Sequence, residues 1–318
     1  MRTVVVAAVV LAALSQPAAS QDTSVGDCNS ADTTRILSGC TALIKQAQLK
    51  EPMLALAYSR RSDAYVGAGN LDQAIADRAK AAELQPGDAL HKQRLSLTYQ
   101  LRAADHYKNK REAKAFADYA EAIRIDANNH SAFAARSNIY LANQNFDKAI
   151  SDLETATKLE PSIETYRLWL ANLYEHRGIE HQQKREFDGT IKDYTSAIKA
   201  IPTNATYFER RAEAYVSTSA KENAIMDLSD AIRLNPKSVP LYVRQAELYL
   251  DGKDSVHALS SLDGALAQDA KNVPTLLLRA LVYEGMTQGE KALADYQAVL
   301  KIDESNDAAR KGIKRLSS

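Results

Sequence analysis

Across 318 residues the chain has two cysteines, one tryptophan, four methionines, eight prolines and twelve glycines, and its 40 basic and 40 acidic residues cancel. So few Pro and Gly exclude a collagenous or Pro/Gly-rich disordered chain, and 45% apolar residues suffice for a core. Zero net charge withholds the electrostatic drive that nucleic-acid binding needs, so no nucleic-acid partner is expected. Beyond the first twenty residues no apolar run is long enough to span a bilayer, and membrane integration is not expected once that segment is removed. HExxH, G-x-S-x-G, phosphate-loop and CxxC patterns are all missing, so neither a catalytic residue nor a cofactor or metal site is expected.

The N-terminus reads as a secretory signal over residues 1–20. Arg2 opens it, Val4 to Leu14 form an apolar run, and Ala18-Ala19-Ser20 offers small residues for cleavage before Gln21. A retained anchor is the alternative, although the run is about half a bilayer-core span. No lipobox-like cysteine follows it to accept a lipid. Export puts Cys28 and Cys40 in an oxidising compartment, where a disulfide is favoured over two unlinked thiols. Closing so short a loop should stabilise the terminus by about 2–3 kcal/mol.

A repeat organises the rest. "AELQP" ends at Pro86, "TKLEP" at Pro161, "IKAIP" at Pro202 and "IRLNP" at Pro236, with "IRIDA" at Ala127 and "LAQDA" at Ala270 in phase; from Pro52 the steps are 34, 41, 34, 41, 34 and 34 residues. Counted from each start, a tyrosine recurs at 65, 99, 140, 174, 215, 249 and 283. Alanine recurs at 74, 115, 149, 224, 258 and 292, with Thr190 as the exception, and seven residues later at 81, 122, 156, 197, 231 and 265, then Val299. Small residues let helix backbones approach while tyrosine fills the space between hairpins. Proline beyond the second helix stops it.

This pattern resembles the tetratricopeptide repeat family. The unit running through Ala55, Tyr58, Ser62, Tyr65, Gly69, Ala74, Ala81 and Pro86 follows its signature, with Arg61 where the family usually has leucine. The resemblance implies an all-α, right-handed superhelical solenoid of antiparallel helix pairs. Seven repeats are expected at 55–88, 89–129, 130–163, 164–204, 205–238, 239–272 and 273–306. Ahead of them lies a disulfide-stapled segment, 21–54, holding a lone second-type helix over about 32–48, with Cys40 at the alanine position and Ala47 seven later. A capping helix over about 307–316, within the C-terminal segment 307–318, completes sixteen helices. The two 41-residue units add seven residues at about 104–114 and 179–189, which predicts about one extra turn on each helix of hairpins two and four and a projecting edge; that edge is a polar loop with no role, a platform for a partner or a second copy, or a local stabiliser.

In the family, first helices line the concave side and partner peptides lie along it. The corresponding positions are Arg60 and Asp63, Arg94 and Leu97, Asn138, Trp169 and Asn172, Arg210 and Glu213, Arg244 and Glu247, then Leu278 and Leu281. Arg60/Asp63, Arg210/Glu213 and Arg244/Glu247 can each pair across one helix face, or their arginines can grip a peptide carboxylate. Asn138 and Asn172, 34 residues apart, are expected to stack in adjacent hairpins and bond a peptide backbone. Trp169 is either an aromatic anchor for a partner or packing between repeats. His176 and His181 are too poorly aligned on a helix to form a metal site.

The expected function is a non-catalytic scaffold that binds a protein or extended peptide in the periplasm or outside the cell, of bacterial origin. The alternatives are an auxiliary envelope enzyme with an atypical groove site and a protein that self-assembles through its extended hairpins. A secreted eukaryotic origin would make Asn204-Ala205-Thr206 a glycan acceptor.

Overall fold

The computed structural model describes residues 18–46 and 49–317, and every helix or strand among them is an α-helix. The expected signal falls mainly on residues 1–17, which lie outside the described residues, as does Ala47. Two compact units divide the chain, Met1–Ile163 and Glu164–Ser318. Unit 1 comprises α1 (Ala18–Cys28), α2 (Thr33–Ile44), α3 (Glu51–Gly67), α4 (Leu71–Leu84), α5 (Ala89–Lys108), α6 (Glu112–Ile125), α7 (His130–Ala142) and α8 (Phe146–Leu159). Unit 2 comprises α9 (Glu164–Gln183), α10 (Phe187–Ala200), α11 (Ala205–Ser217), α12 (Lys221–Leu234), α13 (Val239–Asp251), α14 (Ser255–Gln268), α15 (Val273–Gly285), α16 (Gly289–Ile302) and α17 (Asp307–Leu316). Within each unit a helix packs chiefly on its neighbours in the chain, as in a solenoid of antiparallel pairs.

Seventeen helices stand among the described residues where sixteen were expected. The extra one is α1, so the helix at 33–44 is not alone: it forms a hairpin closed by the Cys28–Cys40 disulfide. Both cysteines are buried with Leu43 and Ala57. Gly39 permits the close approach, because a Cβ there would lie 2.5 Å from the Cys28 backbone nitrogen. Arg35 fastens the same corner through Asp27 at 2.7 Å, and Asp32 caps α2 by accepting from the Arg35 backbone N–H.

The alanine pattern explains the packing of the seven following hairpins. All fourteen small positions, from Ala74 and Ala81 to Ala292 and Val299, with Thr190 among them, have no solvent exposure. Each hairpin turns through three residues whose middle member is left-handed: Gly69, Lys110, Gln144, Arg185, Ser219, Lys253 and Thr287, with φ between 55° and 75°. The residue after it donates its N–H five residues back, to the carbonyl of Tyr65, His106, Tyr140, His181, Tyr215, Tyr249 or Tyr283, which closes the helix end.

That bond fixes the register and corrects the reading of the long units. All seven added residues belong to the first helix. α5 and α9 have 20 residues against 13 in α7, α11, α13 and α15, while each second helix has 14. The turns at 109–111 and 184–186 match the others in length, so 104–114 and 179–189 contain no insertion. Aligned on the turn, the extra two helical turns are 89–95 and 164–170. Tyr99 and Tyr174 then match Tyr58 rather than Tyr65, and the tyrosine position is held by His106 and His181.

An ion-pair series runs through the hairpins in this register. Arg61, Arg102, Arg136, Arg177, Arg211 and Arg279 each clasp the aspartate sixteen residues later (77, 118, 152, 193, 227 and 295), with Nη2 to Oδ1 distances of 2.6–2.8 Å. The aspartates are buried, so losing one partner would strand a charge. Nη1 of several arginines also reaches the preceding second helix, as Arg211 does to Thr195 at 2.9 Å and Arg279 to Asp263 at 2.6 Å. In the sixth hairpin the link is neutral: Ser261 donates to Gln245 at 2.9 Å, and Gln245 donates to Ser229 at 2.7 Å. Beyond α16, the cap α17 packs Ala309, Ile313 and Leu316 on the last core cluster while Arg315 pairs with Glu284 at 2.9 Å.

Candidate functional site

The first helices of unit 2 enclose a groove of about 420 Å³. Its floor is apolar: Ala212 and Val216 from α11, Leu228 from α12, and Val239 and Val243 from α13. Pro240 and Pro274 sit at the starts of α13 and α15, where a missing N–H costs no helix bond, and both add apolar wall. Glu209, Glu213, Arg244 and Glu247 form the rim. Arg244 pairs with Glu247 at 3.0 Å and Arg210 with Glu213 at 3.2 Å, as their i,i+3 spacing implied. Burial opposes the Arg210 charge, but the Glu213 carboxylate outweighs it and raises the pKa. Gln182 on α9 also donates to Glu213, at 3.4 Å. Glu209 makes no ion pair with any described residue, although its charge supports the Arg210 guanidinium, and three carboxylates against Arg210 and Arg244 leave the rim acidic over an apolar floor.

Trp169 lies in the inserted turns of α9, 40% exposed, with its ring 6.1 Å from Tyr166. Asn172 is exposed on the same helix and Asn138 on α7. They are not equivalent positions: Asn138 follows its ladder arginine, Arg136, by two residues, whereas Asn172 precedes Arg177 by five. Their expected stacking came from counting across the inserted turns as though they lay later in the hairpin. Leu278 is half-buried and Leu281 exposed on α15.

Unit 1 rearranges the first expected pair. Asp63 does not bind Arg60; it accepts a short contact from Arg78 of α4 and lies 4.0 Å from Arg94 of α5. Arg60 has a buried Nε without a hydrogen-bond partner. Arg78 and Arg94 both donate to the Ser59 hydroxyl, at 2.8 and 3.2 Å. Arg94 belongs to the inserted turns of α5, and Leu97 lies exposed one turn beyond it. Sequence reasoning missed Arg78. Its signal was available, since the residue after the ladder acid or its Ser261 counterpart is otherwise Tyr119, Leu153, Tyr194, Leu228, Leu262 and Tyr296.

The six ladder pairs were missed because the spacing of sixteen is constant while the distance from each repeat start is not. Among the described residues no group of three or more His, Cys, Asp or Glu is placed to hold a metal, and no helix is long and apolar enough to cross a membrane. His181 Nδ1 lies 3.0 Å from Asp193, so that imidazole sits on the ladder in place of a tyrosine.

A family model described as tetratricopeptide repeat matches residues 135–180. No curated protein matches the chain. Among solved structures, a crystal structure of MamA protein is 23% identical, covers 46% of this chain and 80% of its own, and has a TM-score of 0.41. YrrB, described as a TPR protein with an unusual peptide-binding site, is 17% identical over 62% of this chain and 97% of its own, with a TM-score of 0.41. TTC0263, a thermophilic TPR protein of Thermus thermophilus, is 21% identical over 59% and 98%, with a TM-score of 0.34.

Proposed function

We propose that this chain is a non-catalytic scaffold that holds an extended peptide segment in the periplasm or outside a bacterial cell. The observation that carries this reading is the groove on α11, α13 and α15, with its apolar floor and acidic rim. Ladder pairs and alanine contacts hold the first helices in place before a ligand arrives, which lowers the ordering cost of binding. An apolar side chain would pack on Val216 and Val243, and a basic neighbour would meet Glu209. Trp169 and Asn172 offer a second aromatic and amide contact within unit 2, and Asn138 an amide contact in unit 1. The export part rests on the apolar run from Val4 to Leu14 and on the closed Cys28–Cys40 pair.

Peptides selected on the full chain from a random display library test the site. Val243→Trp fills the groove and should weaken selected peptides about tenfold or more. Peptides indifferent to that substitution would move the site off this groove. Fractionation of the tagged protein in a Gram-negative host tests export: mature chains should begin at Gln21 with Cys28 and Cys40 oxidised, and cytosolic, reduced protein would refute that part.

A further inference from the structure

Arg78 is out of place in its fold. The slot lies in the middle of the second helix and is 5% exposed here; in the other six hairpins tyrosine or leucine fills it. Packing alone therefore asks for an apolar side chain, and burying a guanidinium instead is costly unless it is matched by charge and hydrogen bonds. The match here is partial. Arg78 Nε is buried without a hydrogen-bond partner. Its one carboxylate, Asp63, is 56% exposed and also faces Arg94, and the Ser59 hydroxyl is shared by both arginines. Burial works most strongly against the protonated form, the Asp63 charge supports it and the Arg94 charge opposes it, and the balance lowers the Arg78 pKa. Two guanidinium groups thus face one carboxylate and one hydroxyl, a surplus of positive charge held against a low-dielectric wall.

We propose that this cluster is a carboxylate-binding site for an acidic peptide segment, with Arg94 supplying hydrogen bonds and Arg78 the fixed charge behind it. Arg94 is 41% exposed and spends one N–H on Ser59, leaving donors of its planar fork for an incoming carboxylate. The surroundings favour a peptide with apolar neighbours over a small anion. Leu90, Leu97 and Leu101 lie on the same side of α5 as Arg94, at helical spacings of four, three and four residues, and all three are exposed. Every second side chain of an extended segment faces the same way, so one with an acidic residue two positions from an apolar residue on each side would set its carboxylate between the arginines and its apolar side chains on that stripe. The site lies wholly in unit 1 and does not depend on the groove of unit 2.

The probe is a labelled peptide of repeating Leu-Ser-Glu-Ser, which puts Leu and Glu on one face of an extended chain, with its Leu/Gln counterpart as control, titrated against the full chain by fluorescence anisotropy. The Leu/Glu peptide should bind about tenfold more tightly than the control, and added salt should reduce that margin. Arg94→Gln should remove it. Arg78→Leu, which installs the residue found at 153, 228 and 262, should also remove it while leaving the thermal midpoint unchanged or raised. Val243→Trp should leave binding of this probe unaltered, which separates the site from the unit 2 groove. Equal binding of the two peptides, absent binding of both, or undiminished Leu/Glu binding in Arg94→Gln would overturn the proposal. Because Arg94 stands outside the core, that last variant decides the matter even if Arg78→Leu fails to fold.

Discussion

The two units use one hairpin and spend its variable positions differently. In unit 2 the slot after the ladder residue on the second helix is filled by Tyr194, Leu228, Leu262 and Tyr296, and the first helices above enclose an apolar groove with an acidic rim. Unit 1 puts Arg78 in that slot once, pairs it with an exposed aspartate, and sets a second arginine from an inserted turn beside it. The frame common to both is the Arg–Asp clasp, the two small residues and the left-handed turn. Positions that keep the frame explain stability; the few that depart from it mark where the faces become different in charge.

The sharpest way to break this contrast is to remove a frame arginine and the out-of-place arginine in parallel. Arg211→Leu strands the buried Asp227 and should destabilise unit 2 by about 3–5 kcal/mol, whereas Arg78→Leu should be near neutral. Guanidinium denaturation with hydrogen exchange over α11 and α12 checks both. Replacing Cys28 and Cys40 by serine should cost about 2–3 kcal/mol, read as faster exchange confined to α1 and α2 in unit 1.

Alkaline pH should press on unit 2 through two tyrosines whose phenols burial holds up to about 12, Tyr194 and Tyr296. Unfolded tyrosine ionises near an ordinary value of about 10. Since the folded value is the higher one, their contribution is intact below pH 10 and is lost as pH rises through 12. Exchange rates of α10 and α16 measured across that interval should rise in the parent chain and rise less in Tyr194→Phe and Tyr296→Phe. The smallest effect belongs to the turns. Lys253→Gly and Lys110→Gly relieve a side chain held at φ 62° and 58° and should each gain about 0.5–1 kcal/mol, while Gly69→Ala should lose a similar amount.

Much of the fold was legible because its signals are periodic and local: alanines seven apart on one face, a tyrosine before the turn, a proline after the second helix. The added turns were misplaced because seven residues are nearly two full helical turns, so Tyr99 and Tyr174 fall on the same face as the true tyrosine positions. Only the turn bond and the Arg–Asp spacing separate the two registers: the first is a local backbone bond around a left-handed residue that varies from Gly to Lys, Gln, Arg, Ser and Thr, and the second is a contact between two helices. Helix α1 went unread because its residues, from Ala18 to Cys28, carry no apolar periodicity of their own and are held by the disulfide and α2. The Arg244–Glu247 and Arg210–Glu213 pairs were readable from i,i+3 spacing. Arg60/Asp63 has the same spacing and fails because Arg78, fifteen residues further on, reaches Asp63 instead.

Hydrogen exchange of the full chain with and without a peptide selected on it tests the account most directly. The account predicts added protection along α11 and α13 and at the start of α15, with the second helices α12, α14 and α16 unchanged. Protection confined to those second helices, or none in unit 2, would contradict it.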